Sequence, residues 1–333
     1  MNTTENKLFQ NGATWLRADF HLHTKADDGE FSFTGEDSYY NSNYVDALGN
    51  ARIRIGVITN HNKFDKAEFD ALRKTAKKKE IFLIPGVELS VNDGANGIHV
   101  LIVFSEQWLE NGQDYINPFL TSMFTGKTPQ QYQNKNGRSD KNILQVVEEL
   151  GEIGRDYFVI FAHVEKSKGL WSEMAGGKLS DWTDKRYDTV RERTFGFQEV
   201  RTHDVPDRPC RTKVKQWLGD WYPAEVEGSD PKKLEEIGKG DACYLKIGAF
   251  SFDAIKFALT DHANRVAKNV EKYRHSHIRC IQFEGGTLSG KTIHFSPELN
   301  ALIGIRGSGK SSVLEGLRYA LDIPFGEKAG DQK

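Results

Sequence analysis

The chain has 333 residues, 38% of them hydrophobic, which is enough to bury a full core and predicts two domains or one barrel with an extension. A formal charge of −2 excludes a global nucleic-acid-binding signature, so any anion-binding surface must be local. The three cysteines, Cys210, Cys243 and Cys280, lack CxxC spacing and read as reduced thiols rather than a zinc-thiolate site. With no apolar signal segment at 1–10 and no apolar run near the ~18 residues that span a bilayer, the expectation is a soluble cytoplasmic protein.

Apolar, β-branched runs predict strands at 15–20, 54–59, 81–85, 98–104, 157–162 and 195–200, a weaker one at 224–226 and a last one at 243–247. Helical patterns alternate with them at 64–79, at 143–150 with Ser139 or Asp140 as the expected cap, and then at 252–259 and 263–273. This alternation predicts an α/β protein built on a parallel sheet. Two polar stretches, 32–50 and 106–141, exceed ordinary connection lengths and read as insertions at the functional face. A domain boundary is expected near 275–277, giving a first domain over 1–275 and a second over 276–333.

On a strand, residues two apart face the same way, so His21 and His23 can project together toward one ion. That pair alone is a weak signal. It gains weight because His61, Glu88 and His163 also follow predicted strand ends, and the C-terminal end of a parallel barrel is where active sites sit. His203 follows a strand as well and could add a ligand or donate to substrate, with a satisfied structural histidine as the plainer role, while His262, His275 and His277 lie in helical or linker sequence away from these tips.

The ordered motifs Asp19-Phe20-His21-Leu22-His23-Thr24, Asp28-Gly29, Thr59-Asn60-His61-Asn62, Gly86-Val87-Glu88, His99, Ala162-His163 and Gly228-Ser229-Asp230 resemble those of the PHP (polymerase and histidinol phosphatase) superfamily. The resemblance covers roughly residues 15–260. It implies a distorted seven-stranded (β/α)7 barrel, two or three divalent metals (Zn, Mn or Fe) and phosphoesterase chemistry. It also implies a ligand set of His21, His23, Asp28, His61, Glu88, His99, His163 and Asp230, with Glu88 bridging two ions and Glu88, His163 and Lys232 at the reacting centre. The chain departs from the family twice, having Asn60 where aspartate is usual and Lys232 where a histidine ligand is usual. Lysine at neutral pH has no acceptor and cannot replace imidazole, but as a point charge it can meet a phosphate. Lys166, Lys168, Arg201 and Arg208 follow predicted strand ends and are further candidate phosphate contacts. Trp171, Trp182 and Tyr187 could stack on a base, with core packing as the plainer role.

Near the C-terminus, Gly304-Ile305-Arg306-Gly307-Ser308-Gly309-Lys310-Ser311 fits the phosphate-binding P-loop at every fixed position, between an expected strand at 300–303 and an expected helix at 312–321. The glycines permit a nest of amides facing phosphate oxygens; Lys310 is expected on the β- and γ-phosphates of ATP and Ser311 on Mg²⁺, with Ser312 beside it. Residues 278–322 resemble the N-terminal lobe of SMC-like ABC ATPases. That resemblance implies a partner lobe or a further C-terminal portion, possible homodimerisation, and no ATP turnover by this chain alone. The leading expectation is a metal-dependent phosphodiesterase acting on nucleic acid and gated by ATP. A phosphatase for a small phosphorylated metabolite and a degenerate, non-catalytic sensing domain are the alternatives.

Overall fold

A computed structural model describes residues 8–174, 178–202, 210–270 and 275–324. The chain divides into two compact units, one spanning Thr14–Val270 and the other formed by the residues before Thr14 with those from 271 onward.

The larger unit is a mixed α/β fold around one nine-stranded sheet: β1 (Thr14–Leu22), β2 (Ile53–Ile58), β3 (Phe82–Val91), β4 (Ile98–Phe104), β5 (Tyr157–Phe161), β6 (Thr194–Gln198), β7 (Ala224–Val226), β8 (Cys243–Ile247) and β9 (Val266–Ala267). Their spatial order is 7-6-5-4-3-2-1-8-9, and the edge strands β7 and β9 approach each other, so the sheet is nearly closed. Strands β1, β2 and β3 run parallel, as do β5, β6 and β7.

Two features correct the expectation of a parallel seven-stranded sheet. Strand β4 is antiparallel to both β3 and β5, and β8 and β9 add two antiparallel strands beside β1. Only residues 92–97 separate β3 from β4, whereas a parallel crossover needs a dozen or more residues, so the pair closes as a hairpin. Strand β3 is also longer than its apolar run. It pairs with β2 through Phe82 to Pro85 and then with β4 from Gly86 to Val91, which leaves Glu88 inside a strand rather than at its tip. Gly86 permits that change of partner, since a Cβ there would lie 2.9 Å from both Ile102 O and Val57 Cγ1.

Every residue of β4 is buried, and its sequence IHVLIVF accordingly runs apolar without alternation apart from His99. Outside the sheet, helix Lys66–Lys77 starts at Asp65, whose side chain accepts from Glu68 N, and buries Phe69, Leu72 and Ala76 while its lysines face outward. Helix Ile143–Ile153 is capped by Asn142 in a reciprocal box with Gln145, not by Ser139 or Asp140. The two stretches read as insertions contribute to the core: helix Tyr40–Asn50 buries Tyr40, Tyr44, Val45 and Leu48, and helix Ile116–Met123 buries Ile116, Phe119, Leu120 and Met123. The helix expected at 263–273 is only one turn, His262–Arg265, before β9. Among the described residues no helix is long and apolar enough to cross a membrane.

In the smaller unit, β10 (Cys280–Gln282) and β11 (Thr292–His294) form an antiparallel hairpin, and a helix spans Lys310–Ala320. The strand expected at 300–303 has no sheet partner, and Leu299, Ile303 and Ile305 are 94%, 94% and 82% exposed. An apolar run becomes a strand only beside another, and none lies along this one among the described residues.

Candidate metal centre

The middle of β3 and the ends of β1, β2, β4, β5 and β7 deliver the site. Asp19, His21 and His23 alternate along β1 and beyond it, and all three are buried. The loop after β7 crosses β1 closely: Asp230 N donates to His21 O at 2.9 Å, and a Cβ on Gly228 would lie 2.5 Å from His21 Cβ. That crossing brings Asp230 Oδ1 to 2.9 Å from His23 Nε2 and 3.8 Å from His21 Nε2.

Glu88 stands at the middle with one carboxylate oxygen on each side. Its Oε2 lies 3.4 Å from His21 Nε2 and 3.6 Å from His23 Nε2. Its Oε1 lies 2.7 Å from His99 Nδ1 and 3.5 Å from His163 Nε2. Two metal-capable groups thus share this carboxylate, His21-His23-Glu88 and Glu88-His99-His163. The His61 ring lies 5.1 Å from that of His99, and both line a cleft of about 360 Å³ with Glu88, His163 and Asp230. Donor atoms around one ion with bonds of ~2.1 Å stand roughly 3.0–3.4 Å apart, close to most of these spacings. The buried Nε2 of His21 makes the same point, since it faces Glu88 and has no hydrogen-bond partner. An imidazole nitrogen is not ordinarily buried bare, and a divalent cation satisfies it. The donor set contains no thiolate, and it fits zinc, manganese or ferrous iron.

The opposite ring nitrogens are held. His21 Nδ1 donates to Gln198 Oε1 at 2.9 Å, and His23 Nδ1 donates to Asp27 Oδ2 at 2.8 Å. Because an amide or carboxylate oxygen only accepts, the Nδ1 atoms keep their protons, and Nε2, facing Glu88, is the atom that bears the lone pair when each ring is neutral. Asp19 lies behind them, accepting from His21 N and from Ser229 N and Oγ, and so ties the end of β1 to the loop carrying Asp230.

The electrostatics follow from burial and from the two carboxylates. Burial opposes charge on His21 and His23, but Glu88 and Asp230 outweigh it; His21 is raised above the ordinary range and His23, with Asp27 added, is pushed up to about 10. Burial also works against Asp230 and Glu88, yet the surrounding imidazoles hold both well below the usual carboxylate range. His61 is pushed down to about 4 by burial and stays neutral at physiological pH. His163 and Asp230 have positive φ angles of 30° and 44°, the kind of backbone strain that gathers at functional sites.

Eight residues were expected from sequence as metal ligands; His21, His23, His61, Glu88, His99, His163 and Asp230 converge here, and Asp28 does not. The Asp28 side chain is 85% exposed and pairs with Lys63 at 3.4 Å. The turn closed by Asp27 N on Thr24 O and Phe31 N on Asp27 O points Asp27 inward instead. Asn60, the first departure, clamps the loop after β1, accepting from Thr24 N at 2.8 Å and donating to Thr24 Oγ1 at 2.9 Å. Lys232, the second, reaches the cleft and pairs with Asp230 at 2.8 Å and Glu30 at 3.0 Å; those carboxylates hold its pKa above the ordinary lysine value although burial opposes the charge.

Of the other expected phosphate contacts, Lys168 lines the cleft, Lys166 pairs with Glu199, and Arg201 is held by both oxygens of Glu227 at 2.7 Å. Arg208 and His203 lie outside the described residues. Trp171 and Trp182 are buried, and Tyr187 stacks on Trp182, so all three serve packing. Asp27, Gln198, Asn62, Lys135 and Glu30 carried no sequence expectation. Gln198, the last residue of β6, and Asn62, the neighbour of His61, shared the strand-end position that marked the ligands, and that was the one available signal.

No protein-family model and no curated protein sequence matches the chain. Several solved structures do. One is a two-domain protein from Bacteroides vulgatus containing a predicted PHP-like metal-dependent phosphoesterase, with a TM-score of 0.47 and 15% identity over 76% of this chain and 64% of that one. Another is a predicted metal-dependent phosphoesterase from Bifidobacterium adolescentis, with a TM-score of 0.46 and 12% identity over 73% of this chain and 95% of that one. PsfC from Pseudomonas syringae is similar at a TM-score of 0.41 and 11% identity over 93% of this chain and all of that one. The chain thus spans just under two thirds of the Bacteroides protein.

Proposed function

We propose that the chain is a metal-dependent phosphoesterase of the PHP kind. The observation that carries the reading is Glu88, whose two oxygens each face a pair of imidazoles in two metal-capable groups, at the floor of a cleft rimmed by Lys135, Lys168 and Lys232. His21, His23, Glu88 and Asp230 would hold one ion, and Glu88, His99 and His163, with His61 beside them, a second. Divalent ions bound there supply Lewis acidity and a water nucleophile near neutral pH. The chain's own residues do the rest: Gln198 and Asp27 keep the His21 and His23 lone pairs aimed inward, His61 stays proton-free, and Lys232 is fixed at the mouth as a point charge for a phosphate oxygen. Asn60 sits in a structural clamp, so its presence takes nothing from the cluster and weighs against a degenerate, non-catalytic barrel.

The finer reading is a nucleic-acid phosphodiesterase gated by ATP. It rests on the intact P-loop pattern of 304–311 and on its conformation. Gly307 and Gly309 adopt φ of 84° and 89°, the helix begins at Lys310, and Lys310 Nζ lies over the carbonyls of Gly304 and Ile305 at 2.7 and 2.8 Å. Leu299, Ile303 and Ile305, exposed and without a sheet partner among the described residues, support a need for a partner lobe or a second copy. A phosphatase for a small phosphorylated compound is the second reading, favoured by a cleft of about 360 Å³, near the lower end of small-ligand sites.

Cleavage of end-labelled single- and double-stranded DNA and RNA with Mn²⁺, beside a mononucleotide and a sugar phosphate, separates the two. Polymer cleavage lost in His21→Ala/His23→Ala supports the nuclease. Phosphate release from the small substrates alone supports the phosphatase, and no hydrolysis of any of them defeats both.

A further inference from the structure

Asn62 follows His61 directly, is fully buried, and has a positive φ of 50°. Its side chain is used completely. Oδ1 accepts from Ser90 N at 2.9 Å, while Nδ2 donates to Tyr132 O at 2.8 Å and Gly137 O at 3.0 Å. Two backbone carbonyls of the 128–139 segment are thus hung on the residue beside a candidate ligand. The segment is built for this: Gly137 passes so close to the Tyr132 carbonyl that no side chain fits there, and the Tyr132 ring stacks flat on Phe124 at 4.1 Å. From the other side, Lys168 Nζ donates to Lys135 O at 2.7 Å, and the Lys168 carbonyl accepts from His99 N at 2.9 Å.

The segment therefore forms a fixed wall of the cleft and carries Lys135 to the same opening that His61, Glu88 and His99 line. The cations nearby divide into two kinds. Lys232 and Lys166 are paired with carboxylates, while Lys135 and Lys168 have no carboxylate partner among the described residues. Positive charge with no carboxylate partner at the opening of a metal-capable cleft is free to meet an anionic ligand there.

Resting on the phosphoesterase reading of this cleft, we propose that Lys135 and Lys168 bind the phosphate group of the substrate. Asn62 is the positioning residue that holds Lys135 there. The experiment titrates inorganic phosphate calorimetrically into the Mn²⁺-loaded full chain, with metal content measured in parallel. Lys135→Ala and Lys168→Ala should each weaken phosphate binding about tenfold or more at unchanged metal content, and Lys135→Arg should restore most of it. Asn62→Asp keeps the shape but cannot donate to Tyr132 O and Gly137 O. It should weaken phosphate binding comparably, and adding Lys135→Ala to it should cost little more. Binding within about twofold of wild type in both lysine variants, or no phosphate binding by the wild type, overturns the inference. A wild type that binds phosphate through these lysines yet hydrolyses no phosphoester upholds the inference and defeats the hydrolase reading alone.

Discussion

Asp27 Oδ2 accepts from His23 Nδ1 at 2.8 Å and, with the same oxygen, from His61 N at 2.6 Å, so one buried carboxylate orients one candidate ligand's ring and fixes another's backbone. Its neighbour Asp28 touches neither. Asp27→Ala should lower affinity for Mn²⁺ or Zn²⁺ by about 10- to 100-fold, the usual cost of losing an outer-sphere carboxylate, whereas Asp28→Ala should leave it within about twofold. Chelator competition measures both.

Metal uptake should release protons. The folded, metal-free His23 titrates near 10, so its Nε2, which must bind metal, is protonated at neutral pH, and His21 is raised in the same direction. The apparent affinity should rise about tenfold per pH unit between roughly pH 7 and 9 for each proton displaced. Calorimetry in two buffers of different ionisation enthalpy should count one proton or more per chain.

His61 acts in the opposite direction on folding. Its folded pKa of about 4 lies below the ordinary 6.5, so its contribution is complete above pH 6.5 and is lost as pH falls through 4, where the unfolded chain takes up a proton that the folded one refuses. Urea unfolding of the metal-free chain at pH 7 and 4.5 should show an acid-dependent loss about 2 to 3 kcal/mol larger in the wild type than in His61→Gln.

Gly228→Ala places a methyl group 2.5 Å from His21 Cβ and 2.7 Å from His21 N. The loop carrying Asp230 must move, costing about 1 to 3 kcal/mol in thermal unfolding and loosening metal binding on the His21-His23 side.

Much of this was legible along the chain because it rests on short-range rules. His21 and His23 share a strand face, and the apolar runs of β1, β2 and β5 marked where ligands emerge, while His99 was legible only through the family resemblance. What escaped depends on contacts between distant segments. Pro85-Gly86 reads as the end of a strand, yet β3 continues by exchanging β2 for β4, a choice made by the hairpin and not by local propensity. Asp27 and Asp28 differ only in which way one turn points them. Gln198 and Asn62 are polar residues whose purpose appears only when His21 and the 128–139 segment arrive beside them.

The most direct test is the number of ions held by the wild type and by Glu88→Gln after Mn²⁺ loading, measured together with phosphodiester hydrolysis. If Glu88 bridges two groups of ligands, the wild type binds at least two ions per chain and hydrolyses the ester, while Glu88→Gln binds fewer and loses activity by orders of magnitude. A wild type that holds less than one ion per chain, or a Glu88→Gln variant with full metal content and full activity, would contradict the account.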